Sequence, residues 1–129
     1  MWMYNNKEIR NLEDLNIEKE EGFVYLITLI DGKKYIGKKS FWNRVKLPPL
    51  KGKKRKRKVV KESKWVDYTS SSSLITVNNI TKKEILEVCD SKRELTYKEI
   101  KFQFAYNVLE DDDFINKNIF GKFFKGNLS

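Results

Sequence analysis

The stretch Gly22-Phe23-Val24-Tyr25-Leu26-Ile27-Thr28, a break at Asp31-Gly32, and the run Lys33-Lys34-Tyr35-Ile36-Gly37-Lys38 decide the fold. Two runs rich in β-branched and aromatic residues flank Leu29-Ile30-Asp31-Gly32. Asp-Gly favours the positive φ of a tight β-turn, so the stretch predicts a hairpin. Side chains alternate along a strand, which puts Phe23, Tyr25 and Ile27 on one face and Val24, Leu26 and Thr28 on the other. Pairing the two runs brings Tyr25 and Tyr35 near each other on neighbouring strands. Gly37 sits beside them, where a missing side chain lets backbone or ligand approach closely.

Downstream, Glu84-Ile85-Leu86-Glu87-Val88-Cys89 reads as a third strand that completes a three-stranded antiparallel sheet with the hairpin. The clearest helix opens at Thr96 and runs to about Leu109, with Ile100, Phe104 and Val108 on one stripe. Thr96 and Glu99 have the spacing of a capping box, which gives Glu99 a structural role as one reading. Ser40 has the chemistry of a helix cap, so a short helix is expected after the hairpin with Arg44 facing back toward it. The serine tract Ser70–Ser73 and the apolar residues after it read as a second short helix or a loop. The expected class is therefore α/β in the α+β sense, with flanking helices in the order β-β-α-α-β-α. Residues 1–21 form an N-terminal arm packed on the domain, with Trp2 and Tyr4 on a short strand, Asn5-Asn6 as a turn, and Ile9, Leu12 and Leu15 at helical spacing. Residues 22–120 form the domain proper, and 121–129 a C-terminal tail.

Charge is distributed unevenly. The chain has 129 residues and a formal charge of +9, yet residues 44–64 alone hold eleven Lys or Arg against the single acid Glu62. The basic character is a local insertion at 45–64 on a near-neutral protein, which suits a polyanionic partner. Within it, Lys53, Lys54, Arg55, Lys56, Arg57 and Lys58 make an arm that repels itself and should be mobile. Trp65 and Tyr68 follow it, either as a base-stacking platform or as core. There is no His, which removes His-metal nucleases and Ser-His-Asp triads. The lone Cys89 excludes a disulfide framework and fits a reduced, cytoplasmic compartment. No run is apolar enough to span a membrane, and the polar residues from position 5 argue against a signal peptide. Any catalysis must come from Tyr, Lys, Arg and carboxylates.

The hairpin resembles the GIY-YIG nuclease family. Tyr35-Ile36-Gly37 reproduces the second tripeptide, and Val24-Tyr25 the end of the first, with Phe23 in place of its Gly and Gly22 just before it. Nine residues separate the two tripeptides. The resemblance implies hydrolysis of DNA phosphodiesters with one Mg²⁺ or Mn²⁺. It assigns the metal-binding carboxylate to Glu99, the phosphate-gripping guanidinium to Arg44 and a late asparagine to Asn116. Tyr25 is then the candidate general base and Tyr35 its partner. A free tyrosine has a pKa near 10, so nearby positive charge is required, and Lys38, Arg44 and the metal are positioned in sequence to supply it. Duplex DNA is the expected partner, with a monomer and a homodimer both open. A phage-encoded enzyme would act in the host-cell cytoplasm. A separate recognition domain has no room, so specificity is expected in 45–64 or in a partner. Two rivals remain. A non-catalytic DNA- or RNA-binding module on the same fold would use the basic arm alone. An acidic nuclease using Glu99-Ile100-Lys101 would need that triplet on a strand.

Overall fold

The computed structural model describes residues 1–128, so Ser129, the end of the expected tail, lies outside the described residues. The strands are β1 (Trp2–Tyr4), β2 (Lys7–Ile9), β3 (Gly22–Leu29), β4 (Lys34–Ser40), β5 (Trp42–Leu47), β6 (Arg57–Glu62), β7 (Ile80–Cys89), β8 (Asn118–Ile119) and β9 (Phe123–Phe124). One helix, α1, spans Lys92–Ala105. The central hairpin forms as its alternation dictates: β3 pairs antiparallel with β4, Tyr25 lying opposite Gly37 and Ile27 opposite Tyr35. Gly32 takes φ 87° in the connecting turn. β7 pairs antiparallel with the other edge of β3.

The expected three-stranded sheet is a correction. Five strands run in the order β2-β1-β7-β3-β4, and β1 lies parallel to β7, so the sheet is mixed. The added strands come from the N-terminus. Trp2 is fully buried, and its indole Nε1 donates to the Trp65 carbonyl at 2.8 Å. Asn5 and Asn6 turn the chain with φ 51° and 64°. The helical spacing of Ile9, Leu12 and Leu15 yields only a 3₁₀ turn at Glu13–Leu15.

The helix expected at 40–45 is strand β5. Its partner is β6, with Val45 opposite Val59 and Arg44 opposite Val60. The basic arm is therefore a hairpin: Lys53, Lys54, Arg55 and Lys56 lie in its loop, and Arg57 and Lys58 begin the returning strand. Ser40 caps no helix. Its hydroxyl instead donates to Glu21 Oε2 at 2.5 Å. β-branched valines on both sides of a Pro-Pro and Gly break favour a ribbon over a helix. The 70–79 segment is irregular, and α1 is the one helix of α type among the described residues.

Helix α1 begins four residues earlier than its apolar stripe suggests. Ser91 is the N-cap and accepts from Glu94 N at 3.1 Å, while Glu94 Oε1 accepts from Asp90 N at 3.1 Å. The arrangement is a variant of the capping box, with Glu94 reaching the amide one residue before the cap. Glu99 therefore sits in the body of the helix and has no capping duty.

The sheet carries a core on each face. Trp2, Phe23, Tyr25, Phe41 and Trp65 pack under the 63–75 segment, with Phe23 and Phe41 rings 5.2 Å apart and Phe41 and Trp65 rings 5.2 Å apart. Val24, Leu26 and Ile36 pack on the other face against Leu95 of α1 and against Val108, Phe114 and Ile119. Trp65 has no exposed surface. Of the two readings of Trp65, core is the one the structure has: its apolar bulk is buried and its Nε1 donates to Glu62 Oε2 at 3.0 Å, so it is not the DNA-binding surface residue expected.

Gly37 is the point where this packing closes on the two tyrosine rings. A Cβ there would overlap the Tyr25 hydroxyl, and it would lie 2.6 Å from Tyr25 Cζ and 3.0 Å from a Tyr35 ring carbon. Gly37→Ala should cost roughly 1–3 kcal/mol, as other overpacked cores do. Urea titration should recover part of that loss in the Tyr25→Phe background. An unchanged midpoint for Gly37→Ala would show that the two rings are not held where described.

Candidate active site

Strand β4 is the edge of the main sheet, and its free backbone groups are used by side chains. Asn116 Nδ2 donates to the Ile36 carbonyl at 2.8 Å, and Ile36 N donates to Asn116 Oδ1 at 3.1 Å. Gln103 Nε2 donates to the same carbonyl at 3.1 Å. The buried amide of Asn116 thus stands in for a neighbouring strand, and it locks the 113–116 segment along β4. Lys34 N donating to the Asp113 carbonyl at 2.7 Å continues the contact.

Next to this lock is a cleft of about 370 Å³ lined by Tyr35, Glu99, Gln103, Asn116, Lys117 and Phe120, with Ser71–Ser73 as a further wall. The phenol of Tyr35 is 3.2 Å from Ser71 Oγ. Tyr25 lies behind Tyr35, ring centroids 6.3 Å apart, and Tyr68 packs edge-on to Tyr25 at 6.0 Å. The cleft therefore opens on Tyr35, while Tyr25 is almost wholly buried.

Burial dominates the electrostatics. It holds the Tyr25 phenol far above its ordinary range, and the Tyr68, Tyr35 and Glu99 groups add to the effect. Burial also raises Tyr35. It raises the Glu99 carboxyl above the ordinary value of 4.5, with Lys38 pulling the other way. Glu99 and the two phenols thus feel each other's charge across the edge of β4. Among the described residues Glu99 has no hydrogen-bond or ion-pair partner in the protein. Its neighbour one turn on, Gln103, has its Oε1 buried and likewise unpartnered. Lys38 donates from Nζ to Thr96 Oγ1 at 2.7 Å, which holds its ammonium beside α1.

Arg44 is placed elsewhere. On β5 rather than a helix, its two guanidinium nitrogens donate to Glu21 at 2.6 and 3.1 Å, and Arg44 holds the Glu21 carboxyl below its usual range. It lines a neighbouring depression with Lys38, Lys39 and Lys92, not the Tyr35–Glu99 cleft. So Tyr35, Glu99 and Asn116 line one cleft, Tyr25 and Lys38 border it, and Arg44 and Trp65 lie outside it. Sequence reasoning missed Ser71, Gln103 and Lys117 as cleft residues. Gln103 was legible as the position one turn after Glu99; the serine wall carried no signal because its segment is irregular.

A second acidic cluster, Glu87, Cys89 and Glu94, brings its ligand atoms together. Its groups are already used. Glu87 is 3.0 Å from Lys98 Nζ, Glu94 caps α1, and burial pushes the Cys89 thiol up to about 12, leaving it protonated. The candidate metal centre is the cleft.

An antiparallel hairpin with paired tyrosines, a glycine under them and a helix-borne carboxylate across the sheet edge define an α+β domain with a polar cleft at its sheet edge. The family model described as "Putative endonuclease segE, GIY-YIG domain" matches residues 2–119. The chain belongs to the GIY-YIG family, a family of endonuclease domains. No curated protein and no solved structure matches it. No helix among the described residues is long and apolar enough to cross a membrane.

The Glu21–Arg44 pair anchors β5 to the start of β3. Because Arg44 lowers the Glu21 pKa, the pair's stabilisation is present above 4.5 and is lost as pH falls through the depressed value. Glu21→Gln should cost roughly 1–2 kcal/mol at neutral pH, since Arg44 is partly solvated. Thermal melts should show that gap closing in acid. A pH-independent gap would mean the pair does not carry the anchor.

Proposed function

We propose that this chain is a divalent-metal-dependent DNA endonuclease that hydrolyses phosphodiester bonds in the cleft between Tyr35 and Glu99. The observation that carries this reading is Glu99 itself. It is a half-buried carboxylate, without a protein partner among the described residues, aimed into the same cleft as the Tyr35 phenol.

The donor set fits a hard cation. Glu99 offers carboxylate oxygen and Gln103 a neutral amide oxygen, the ligand chemistry of Mg²⁺ or Mn²⁺ sites that keep most of their water. When bound, such an ion neutralises charge on the phosphate and activates water. The chain's own residues do the rest. The base role expected of Tyr25 falls to Tyr35, which orients the attacking water from the cleft wall; to take its proton Tyr35 must act as the phenolate, a form that positive charge in the cleft would favour against the effect of burial. Tyr25, sealed behind it, keeps the ring in register. Lys38 faces the phosphate, in the role that the family resemblance assigned to Arg44. Asn116 holds the backbone of the triplet so that none of these groups drifts.

DNA reaches the cleft along the β5–β6 ribbon. A two-stranded ribbon fits the major groove, and Lys53, Lys54, Arg55, Lys56, Arg57 and Lys58 sit at its loop and returning strand for phosphate contact. Duplex DNA is the substrate this geometry favours, acted on in the cytoplasm. A non-catalytic binding module is the second reading, favoured by one observation: the Arg44 guanidinium is engaged by Glu21 rather than free.

Supercoiled plasmid with Mg²⁺ or EDTA separates the two. Wild type should nick only with metal, and Glu99→Gln should not nick at all. Glu99 has a raised folded pKa, so its stabilising contribution exists below about 4.5 and is lost as pH rises through the folded value. Glu99→Gln should therefore melt higher than wild type at pH 7, a combination that a merely misfolded variant cannot give. Full nicking by Glu99→Gln would remove the carboxylate from the mechanism. Neutralising Lys53, Lys54 and Lys56 together should reduce the slope of log binding constant against log salt by about 2–3. An unchanged slope would take the ribbon loop off the DNA.

A further inference from the structure

Among the described residues six non-glycine positions have positive φ: Asn5, Asn6, Asn16, Ser70, Asn107 and Phe120. Four are asparagine, whose short amide tolerates that region. The two exceptions border the cleft. Ser70 leads into the Ser71–Ser73 wall, and Phe120 stands on the rim.

Phe120 is the bulkier of the two, and it stands in the left-handed helical region. It is the first central residue of the turn Ile119–Lys122, closed by Lys122 N donating to the Ile119 carbonyl at 3.0 Å. Phe120 and Gly121 have φ 53° and 65°. The β1–β2 turn has the same signs of φ and is built from Asn5-Asn6. A bulky ring in this region is a steric outlier, and here it gains little burial in return, being 64% exposed. Its neighbour Phe123 does pack, with its ring 5.7 Å from Phe104. The needs of folding do not account for a phenylalanine at 120. Lys117 in the cleft wall and Lys122 in the turn have no acidic partner among the described residues. A flat apolar ring held out between two cations suits a partner that is anionic along its backbone and flat and apolar in its faces.

We propose that Phe120 is a nucleobase-stacking residue of the cleft. Its ring lies against a base next to the phosphate engaged by Tyr35 and Glu99. This rests on the reading of the cleft as a DNA site. In a duplex such a contact requires partial unstacking, so easily deformed pyrimidine–purine steps are the sites it favours.

The test is run in EDTA, where no cutting intervenes, with a fluorescein-labelled duplex. Phe120→Asn should raise Tm by roughly 2–5 °C because strain is relieved. It should weaken duplex binding by roughly ten-fold because stacking is lost. The salt slope should stay unchanged, since no phosphate contact is removed. Phe120→Trp should show emission quenched by the duplex beyond the quenching seen for the three native tryptophans. A lower Tm for Phe120→Asn, unchanged affinity, or no added quenching in Phe120→Trp would overturn the proposal. So would a wild-type dimer in size-exclusion chromatography that Phe120→Asn dissociates, because the ring would then face a second copy. Plasmid nicking is read separately. A chain that stacks bases but never nicks loses the endonuclease reading alone, and one that nicks with Phe120→Asn binding normally loses the stacking reading alone.

Discussion

The close contact between Tyr25 and Gly37 is the constraint on which the site depends. The Tyr25 phenol occupies the space that a side chain at 37 would need. That contact fixes the register of β3 on β4, and register fixes everything beyond it. Tyr35, two residues back, keeps its ring toward Tyr25 and its hydroxyl at the cleft. Ile36, between them, turns its side chain into the helix-side core and offers its backbone to the open edge. The triplet Tyr35-Ile36-Gly37 is thus three physical tasks in consecutive positions: a wall, an anchor and a vacancy. A one-residue slip would put the isoleucine at the cleft and the tyrosine in the opposite core.

The second requirement is that the edge of β4 be closed without another strand. An uncovered edge would pair with other chains and would leave the cleft undefined. Asn116 and Gln103 close it at the single carbonyl of Ile36. One of these side chains comes from α1 and the other from the segment after it. The same two bonds therefore position the helix against the sheet edge, and with the helix comes Glu99. Its carboxylate is one turn from Gln103, so the group that seals the strand also sets the depth of the acid. Burial then raises the Glu99 pKa, an unfavourable state that a cation in the cleft would relieve.

The sequence exposes the parts whose spacing is local. Strands β3 and β4 follow from alternation and an Asp-Gly turn, whereas the expected stripe of α1 does not hold: Phe104 is exposed, Val108 lies past the helix end at Ala105, and Leu95 and Gln103 form its buried side. What it conceals depends on distant partners. Trp65 beside a basic run looks like a stacking surface, and only the arrival of Trp2 from the N-terminus makes it core. Arg44 looks free until Glu21, placed by the opposite end of β3, engages it. The cap at Ser91 is hidden in the sequence because Thr96 and Glu99, a turn further on, have the same spacing as Ser91 and Glu94. Ser91 wins because Asp90 follows directly on β7 and needs its amide capped. The basic hairpin was missed for a different reason: its charges repel, and charge runs hide the valines that pair beneath them.

Separation of tasks explains why the charge lies where it does. Seven cations between Lys51 and Lys58 would swamp the cleft if they stood inside it, lowering the Glu99 pKa and competing for the carboxylate that a metal requires. On a separate two-stranded ribbon they would be free, under the proposed function, to contact a polyanion while screened by solvent from the acid. Lys38, restrained by Thr96 beside the cleft, is the cation that pulls the Glu99 pKa down against burial. Under the proposed function, grip and chemistry would be tuned independently: the first through the number of charges in a loop, the second through the burial of one carboxylate and the alignment of two rings.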